Sequence, residues 1–360
     1  MKKILVIQNK YIGDVLIASV IAQNIKRVYP DCHVTYLVYD YCAGVIENHP
    51  HIDDILTTNE SWLKKSFNLA SLVREIRHKS FDIIFDPYSK FQSRLICLFS
   101  KAPIRVGFKK RKFAISLPYY TNKISQVEKK IRACGKSIED RLALVLNVVD
   151  LKIEHVDDKP KIYLTDEEQK YESNLFERPH VIIGILGSTP EKSLPKKYVV
   201  EIVNFLTFNY NFQIIFNYAP NQKALAQEIF EQCDNQEKIS IDIYENSIRG
   251  FVKLMGKARL LIANEGGSVH IAKALNKPTF TIFSPYELKD HWASFDDGEF
   301  HASVHLFEEK PEIFPEMTRQ NRRKIEANPE IYYNAFKPEL VFPKLKVFLE
   351  NHKNILNTSN

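Results

Sequence analysis

Asp14 stands at the start of a helical segment, directly after the apolar run Ile4–Ile7, which has the pattern of a buried strand. In open α/β sheets ligands bind beyond the carboxyl ends of the strands, so an acid in this turn is placed for chemistry on a substrate. A carboxylate there can act as a general base and remove a proton from a hydroxyl group. Asp also caps helices and complements their dipole. The sequence leaves both roles open for Asp14.

Two later turns have the composition of phosphate-binding loops. Gly187-Ser-Thr-Pro-Glu-Lys192 offers backbone N–H groups, small hydroxyl side chains and a lysine, which suit a pyrophosphate. Asn264-Glu-Gly-Gly-Ser-Val-His270 offers a double glycine for close approach of a ligand and a predicted helix amino terminus at Ser268 with unpaired donors. Each feature also has an interpretation without a ligand. The glycines would then serve only the turn, Ser268 would be a simple helix cap, and Lys192 would be a solvated surface residue.

Two side chains of the second loop admit more than one interpretation. His270, in the first turn of a helix, fits a capping or packing role, but facing a ligand it would hydrogen-bond a phosphate or a sugar hydroxyl. Glu265 beside two glycines is placed to bind sugar hydroxyls, and its charge would repel a phosphate placed too near.

Common cofactor and metal motifs are missing from the sequence. No GxGxxG, GxxxxGK[ST] or HExxH occurs, and the 11 histidines are dispersed, which disfavours a dinucleotide dehydrogenase, a P-loop kinase and a zinc protease. Five cysteines are scattered without a CxxC pair, as is typical of reduced thiols. We predict no bound metal and no cofactor.

The elements that must position these residues alternate between strand and helix. Apolar runs at 4–8, 34–38 and 82–85 alternate with helical segments, and a second series begins with 181–186, 213–216, 260–263 and 279–283. The 360 residues fit two domains. We predict an α/β fold of two Rossmann-like domains facing a central cleft, 1–165 and 166–335, with a hinge in 152–179. A final helix in 336–360 is expected to return to the first domain.

Charge is unevenly divided along the chain. Residues 1–160 carry 26 Lys and Arg against 17 Asp and Glu, whereas residues 161–360 carry 24 against 27. The densest basic cluster, Lys101 to Lys112, would attract phosphates of a nucleic acid, an anionic membrane or an acidic substrate, or would be a solvated face without a partner. No run is long enough to span a bilayer, which predicts a cytoplasmic protein.

Taken together, these segments resemble the heptosyltransferase family, the glycosyltransferases of lipopolysaccharide core assembly with the two-domain GT-B fold. The resemblance covers about residues 1–285. It is carried by Ile12–Leu16, Pro50–Ile55, Phe81–Asp86, Arg105–Phe108, Gly187–Lys192 and Asn264–Thr279.

This resemblance implies transfer of a heptose from ADP-heptose to an acidic, lipid-linked lipopolysaccharide-core acceptor, with inversion and without a metal. Asp14 matches the general base, while Lys192 and the helix dipole at Ser268 would stabilise the departing diphosphate. The predicted donor-binding residues are Ser188, Thr189, Lys192, Gln222, Glu265, Gly266, Gly267, Ser268 and His270. The predicted acceptor-binding residues are Lys10, Gly13, Arg94, Arg105 and Arg111.

The sequence departs from the family pattern at the donor loops. Glu265 and Gly266 stand where the family often has Asp and a hydroxyl residue. The longer acid would reach differently toward the sugar, and a hydroxyl that could contact a phosphate is lost. Gln222 aligns with a Glu that in some members lies near the ribose. The donor sugar and base are therefore open.

Other functions remain as alternatives. The same fold serves sugar-nucleotide epimerases, and a non-catalytic nucleotide-sugar-binding protein of surface-polysaccharide assembly would need Asp14 only as a cap. The basic first domain with Asp14 favours transfer to an anionic acceptor. Nucleic-acid binding ranks last because no reader motif occurs. Location at the inner face of the inner membrane, through reversible electrostatic contact, is expected.

Overall fold

The computed structural model describes residues 1–109, 117–150, 152–171 and 178–357. The chain divides into two compact units, Met1–Tyr163 and Leu164–Asn360. This division falls inside the segment 152–179 that the sequence predicted as a hinge, two residues before the predicted boundary at 165.

The first unit contains a six-stranded parallel sheet. Its strand order is β3-β2-β1-β4-β5-β6, and all neighbouring strands run in the same direction. The central strands are buried along nearly their whole length because helices cover both faces of such a sheet. The strands are β1 (Lys3–Gln8), β2 (His33–Tyr39), β3 (Asp54–Thr58), β4 (Ile83–Asp86), β5 (Ile104–Phe108) and β6 (Asn122–Ile124).

The first helix of this unit is its most buried one. Almost all side chains from Gly13 to Ile25 are apolar or small, and every residue in this stretch is buried. The helix packs against β1 and against the last helix of the unit, and the Tyr36 hydroxyl of β2 donates to the carbonyl of Ala18 at 2.7 Å. The helices are α1 (Ile12–Val28), α2 (Glu60–Leu63), α3 (Ser66–Lys79), α4 (Phe91–Phe99) and α5 (Lys136–Leu146).

The second unit repeats this architecture with another parallel six-stranded sheet. The strand order is β12-β11-β10-β7-β8-β9, with parallel pairing throughout. The prediction of an α/β fold with two Rossmann-like sheets is confirmed. The strands are β7 (His180–Gly184), β8 (Gln213–Asn217), β9 (Ile239–Ser240), β10 (Leu260–Asn264), β11 (Thr279–Phe283) and β12 (His301–His305).

Eleven described helices surround the second sheet. Several are single turns in the loops after the strands, so the longer ones provide most of the packing. They are α6 (Asp166–Gln169), α7 (Lys196–Asn209), α8 (Lys223–Glu231), α9 (Ile248–Lys257), α10 (Gly267–Ala274), α11 (Lys289–Trp292), α12 (Leu306–Glu309), α13 (Arg319–Ala327), α14 (Glu330–Ala335), α15 (Pro338–Asn351) and α16 (Lys353–Asn357).

The final long helix differs from the expectation that it returns to the first domain. Helix α15 packs on β11, β12 and α7 of its own unit. Val341, Leu345 and Phe348 are fully buried in the core of that unit, and the Phe348 ring lies 5.7 Å from that of Phe280. Because β12 adds a strand at this edge of the sheet, the apolar face of α15 has a surface to cover within its own unit.

Candidate active site

Three of the predicted site residues follow strands at the point in each sheet where the strand order reverses. In the first sheet β1 and β4 are neighbours, and in the second sheet β7 and β10 are neighbours. Such switch points open a crevice at the carboxyl ends of the strands, where ligands of α/β proteins bind. Asp14 follows β1, Lys192 follows β7 and Glu265 follows β10. The topology therefore places all three at ligand-binding edges.

Asp14 is a buried carboxylate held by two cations. It is the third residue of α1, whose N-cap is Tyr11, so Asp14 does not cap the helix. Its Oδ1 accepts from Lys10 Nζ at 2.9 Å and from Arg141 Nη2 at 3.1 Å. Two opposite charges offset the cost of burying this carboxylate and fix its orientation.

Arg141 is a site residue that the sequence reasoning missed. Its side chain is buried on α5, and Nη1 also donates to the Ser137 carbonyl at 3.0 Å. A signal was present in the sequence, because Ile138, Leu142 and Val145 form the buried stripe of α5 and Arg141 lies on the same stripe. A charge on an apolar stripe requires a buried partner, but only the fold identifies that partner as Asp14.

The remaining predicted acceptor residues have separate surroundings. Gly13 is buried within α1. The Arg94 guanidinium lies 5.7 Å from the Tyr119 ring centroid and 5.8 Å from that of Tyr120. Arg105 donates to the carbonyls of Pro118, Tyr119 and Ala102. Its guanidinium therefore braces the chain beside β5, and the structure does not bring it to Asp14. Arg111 lies outside the described residues.

On the second sheet, Lys192 joins two carboxylates. Its Nζ lies 2.9 Å from Oε1 of Glu265 and 3.0 Å from Oε1 of Glu287. Burial lowers the pKa of Lys192, but the two carboxylates outweigh it and hold this pKa above its usual range. Burial raises the pKa of Glu265, against the opposing effect of Lys192. Lys192 is therefore a permanent cation at this edge and not a surface lysine.

The loop after β11 completes this cluster, and the sequence reasoning did not include it. Ser284 Oγ donates to Glu265 Oε1 at 3.2 Å, and Glu287 is the second partner of Lys192. Both residues follow a strand next to β10, so adjacency in the sheet explains the contact. Strand order cannot be read from the sequence alone, so the sequence did not identify Ser284–Glu287 as part of the site.

The loop after β7 is tightly folded around its glycine. A Cβ on Gly187 would lie 2.3 Å from the Lys192 carbonyl oxygen, so only glycine fits there. Ser188 and Thr189 are exposed at the tip of the loop. Gln222 accepts from the Ala219 N–H and donates to the Gly187 carbonyl, both at 2.8 Å. Gln222 thus links the loops after β7 and β8.

Helix α10 presents an amino terminus without a side-chain cap. Its N-cap is Gly266 and its first residue is Gly267, so Ser268 is the second residue and not the cap. A Cβ on Gly266 would meet nothing within 4 Å, which shows open space beside the glycine. The His270 ring packs edge-on against Trp292, with centroids 6.0 Å apart. The N–H groups of the first turn of α10 have no side-chain cap and are suited to an anion.

The two edges offer complementary chemistry. The first provides an oriented carboxylate that can accept a proton from a hydroxyl group. The second provides a cation and a helix amino terminus, which suit a diphosphate, and it provides carboxylates, which suit sugar hydroxyls. Within the described part of the chain, no group of three or more His, Cys, Asp or Glu is arranged to hold a metal ion. Among these same residues, no helix is long and apolar enough to cross a membrane.

Comparison with known families shows which family the chain belongs to. The profile of Glycosyltransferase family 9 (heptosyltransferase) matches residues 69–307, more than half of the chain. The chain belongs to this heptosyltransferase family. The match contains Lys192 and Glu265, whereas Asp14 precedes it and α13 to α16 follow it. As a member of glycosyltransferase family 9, the protein is a glycosyltransferase.

Individual relatives are distant but extend over most of the chain. Lipopolysaccharide heptosyltransferase 1 of Campylobacter coli is 24% identical over 293 residues, which is 78% of this chain and 83% of the relative. The crystal structure of a family 9 glycosyl transferase from Veillonella parvula has a TM-score of 0.79 at 15% identity, with 98% of both chains covered. The structure of Escherichia coli ADP-heptose lipopolysaccharide heptosyltransferase II has a TM-score of 0.70 at 19% identity, covering 98% of this chain and 100% of that one. These structures share its fold.

Proposed function

We propose that this glycosyltransferase moves a heptose from ADP-heptose to a lipid-linked, acidic lipopolysaccharide-core acceptor, with inversion at the anomeric carbon. The observation that carries the proposal is the partly buried Lys192–Glu265 pair at the switch point of the second sheet, in a chain of the heptosyltransferase family. A cation and a carboxylate side by side suit a ligand that joins a diphosphate to a sugar.

The proposed reaction begins at Asp14. Its carboxylate takes the proton of the acceptor hydroxyl as the hydroxyl oxygen attacks the anomeric carbon. The bond between that carbon and the diphosphate oxygen breaks, and ADP leaves with the electron pair. Attack opposite the leaving group inverts the configuration. Lys10 and Arg141 hold the Asp14 carboxylate in place throughout.

Departure of ADP requires positive charge at the second sheet. We propose that Lys192 and the uncapped N–H groups of α10 receive the diphosphate. Because Lys192 Nζ already contacts Glu265 and Glu287, the diphosphate would replace one carboxylate, and Glu265 would then bind a sugar hydroxyl. These groups supply the stabilisation that a metal ion provides in other transferases, so we propose a reaction that needs no metal.

Calorimetry with nucleotide sugars tests this proposal. ADP-heptose, GDP-sugars and UDP-sugars are titrated separately with and without Mg²⁺. We expect tight binding of ADP-heptose alone, unchanged by Mg²⁺, and a loss of about tenfold or more in Lys192→Gln, since charge-assisted contacts contribute about 1.5–3 kcal/mol. Lys196→Gln is the matched control, because Lys196 forms an exposed pair with Glu228 on α7 and α8.

Each other outcome has a definite meaning. Preference for a different nucleotide sugar would assign the protein to another donor class and would overturn the ADP-heptose proposal. Absence of binding to every nucleotide sugar would overturn the proposed transfer mechanism. A requirement for Mg²⁺ would contradict the role given to Lys192 and α10.

A further inference from the structure

We propose that the carboxyl edge of the first sheet is a docking surface for an anionic lipid bilayer. This proposal rests on the proposed function in one respect, the lipid-linked acceptor, and it names the surface that brings the protein to that acceptor. We call this surface the aromatic edge. It consists of Tyr11, Tyr41, Trp62, Phe67 and Phe91.

All five side chains follow strands of one parallel sheet. Tyr11 follows β1, Tyr41 follows β2, Trp62 and Phe67 lie in α2 and α3 after β3, and Phe91 is the first residue of α4 after β4. Parallel strands end at the same edge of their sheet. The topology therefore gathers five aromatic residues, scattered over 81 positions of the sequence, along one edge.

Tyr41 and Trp62 form contacts within the loops that make up the aromatic edge. The Tyr39 and Tyr41 rings stack with centroids 5.9 Å apart. Asn68 in α3 donates to the Trp62 carbonyl at 2.9 Å. These contacts lie at the carboxyl ends of β2 and β3, which are neighbouring strands.

The large aromatic side chains of the aromatic edge are exposed to solvent, although burying them would favour folding. Tyr11 is 71% exposed, Phe67 77% and Phe91 66%, whereas Phe85 at the end of β4 is fully buried. Single exposed apolar residues are common, but a group of large ones at one edge marks an interaction surface.

The charges of this edge favour a bilayer over a protein partner. Exposed lysines alternate with the aromatic residues: Lys65 precedes α3, Lys90 precedes α4 and Lys109 follows β5. Among described residues, Lys65 and Lys90 form no ion pair with an acid, while Lys64 pairs with Glu60. Protein interfaces are depleted of lysine. Membrane-surface segments combine Lys with Trp, Tyr and Phe, because the rings enter the headgroup layer and the ammonium groups meet anionic lipids.

Asp14 follows β1 at this same edge. An acceptor anchored in the bilayer would therefore reach Asp14 without leaving the lipid, which gives the docking surface a place in the proposed reaction. The surface depends on aromatic insertion as well as charge, so it goes beyond a purely electrostatic membrane contact.

Sedimentation with lipid vesicles tests the proposal on the full chain. The vesicles contain phosphatidylethanolamine with phosphatidylglycerol, and phosphatidylcholine vesicles serve as the neutral comparison. We expect binding to the anionic vesicles that falls with salt. Phe67→Ser combined with Phe91→Ser should weaken it roughly tenfold or more, and Lys65→Gln with Lys90→Gln roughly tenfold. Phe208→Ser is the matched control, since Phe208 is 82% exposed on α7 of the other unit.

The failures are distinguishable. If the protein does not bind anionic vesicles, the docking proposal is overturned. ADP-heptose binding is tested independently by calorimetry. The phenylalanine variants should keep wild-type transfer to a delipidated, water-soluble acceptor saccharide. Loss of that transfer together with unchanged vesicle binding would show that the rings bind the sugar, and it would overturn the bilayer proposal.

Discussion

Arg141 Nη2 lies 3.1 Å from Asp14 Oδ1, and both side chains are buried. The two residues are 127 positions apart in the sequence, so the pair also joins α5 to the amino end of α1. Breaking a buried ion pair by removing one partner is more costly than losing an exposed pair, because the other charge stays buried. This pair therefore links the proposed catalytic base to the stability of the first unit.

Replacement of Arg141 tests this link. Arg141→Gln should lower the free energy of unfolding by about 3–5 kcal/mol. It should also lower kcat while changing the KM for the donor less, since Asp14 loses its fixed orientation. Urea denaturation and steady-state kinetics measure the two effects. Arg77→Gln, on the exposed side of α3, should change neither. Wild-type stability in Arg141→Gln would show that the pair has no structural role.

Asp86 gives a prediction for the pH dependence of stability. Burial raises its pKa to about 6 from the ordinary 3.8, although Tyr120 and Ser89 donate to the carboxylate at 2.6 and 2.7 Å. Between these two values the folded protein holds the proton more tightly than the unfolded chain. Stability from this group is therefore present below pH 4 and is lost as the pH rises through about 6, by about 3 kcal/mol in total.

The variant Asp86→Asn cannot titrate at this position. The difference in unfolding free energy, wild type minus variant, should therefore fall by about 2.5 kcal/mol between pH 4 and pH 7. Urea denaturation at four pH values measures it, with the exposed Asp31→Asn as control. A difference that stays constant over this range would refute the assignment.

Gly187→Ala should disturb the loop that carries Lys192. The new Cβ would lie 2.3 Å from the Lys192 carbonyl oxygen, so the loop must shift. We expect a loss of about 1–3 kcal/mol in stability together with weaker nucleotide-sugar binding. Thermal unfolding and calorimetry check both.

Gly256→Ala provides the comparison for that variant. There the Cβ approaches only the Leu164 Cδ1 atom at 3.0 Å, which is the end of a flexible side chain. Gly256→Ala should keep wild-type binding of the nucleotide sugar. Equal behaviour of the two alanine variants would show that the close approach at Gly187 has no consequence.

The sequence predicted strands well where burial is continuous. The central strands β1, β7 and β10 are apolar runs, and their period and length identify them. The strands β3, β6, β9 and β12, at or near the edges of the two sheets, were not predicted, and neither was β5, which lies between β4 and β6. They are short or contain polar residues, as in Asp54–Thr58 and His301–His305, so their own sequence has a weak strand pattern. Their pairing is decided by the rest of the sheet.

The site was predictable to the same extent. Asp14, Lys192 and Glu265 directly follow apolar strands, so local pattern locates them. Arg141 and Glu287 become site residues only through helix packing and strand order, which no local pattern encodes. The surroundings of Arg105 follow from the same limit, since its three carbonyl partners could be assigned only from the folded chain.

The Asp14→Asn variant is the decisive test of the proposed base. The amide keeps an oxygen that can accept from Lys10 and Arg141 but cannot serve as a base at neutral pH. With ADP-heptose and a lipopolysaccharide-core acceptor, we expect kcat to fall by about 10²–10⁴-fold, while the Kd for ADP-heptose by calorimetry stays within about twofold because the donor groups are untouched. Heptose transfer at the wild-type rate by a folded Asp14→Asn protein would show that Asp14 is not the base.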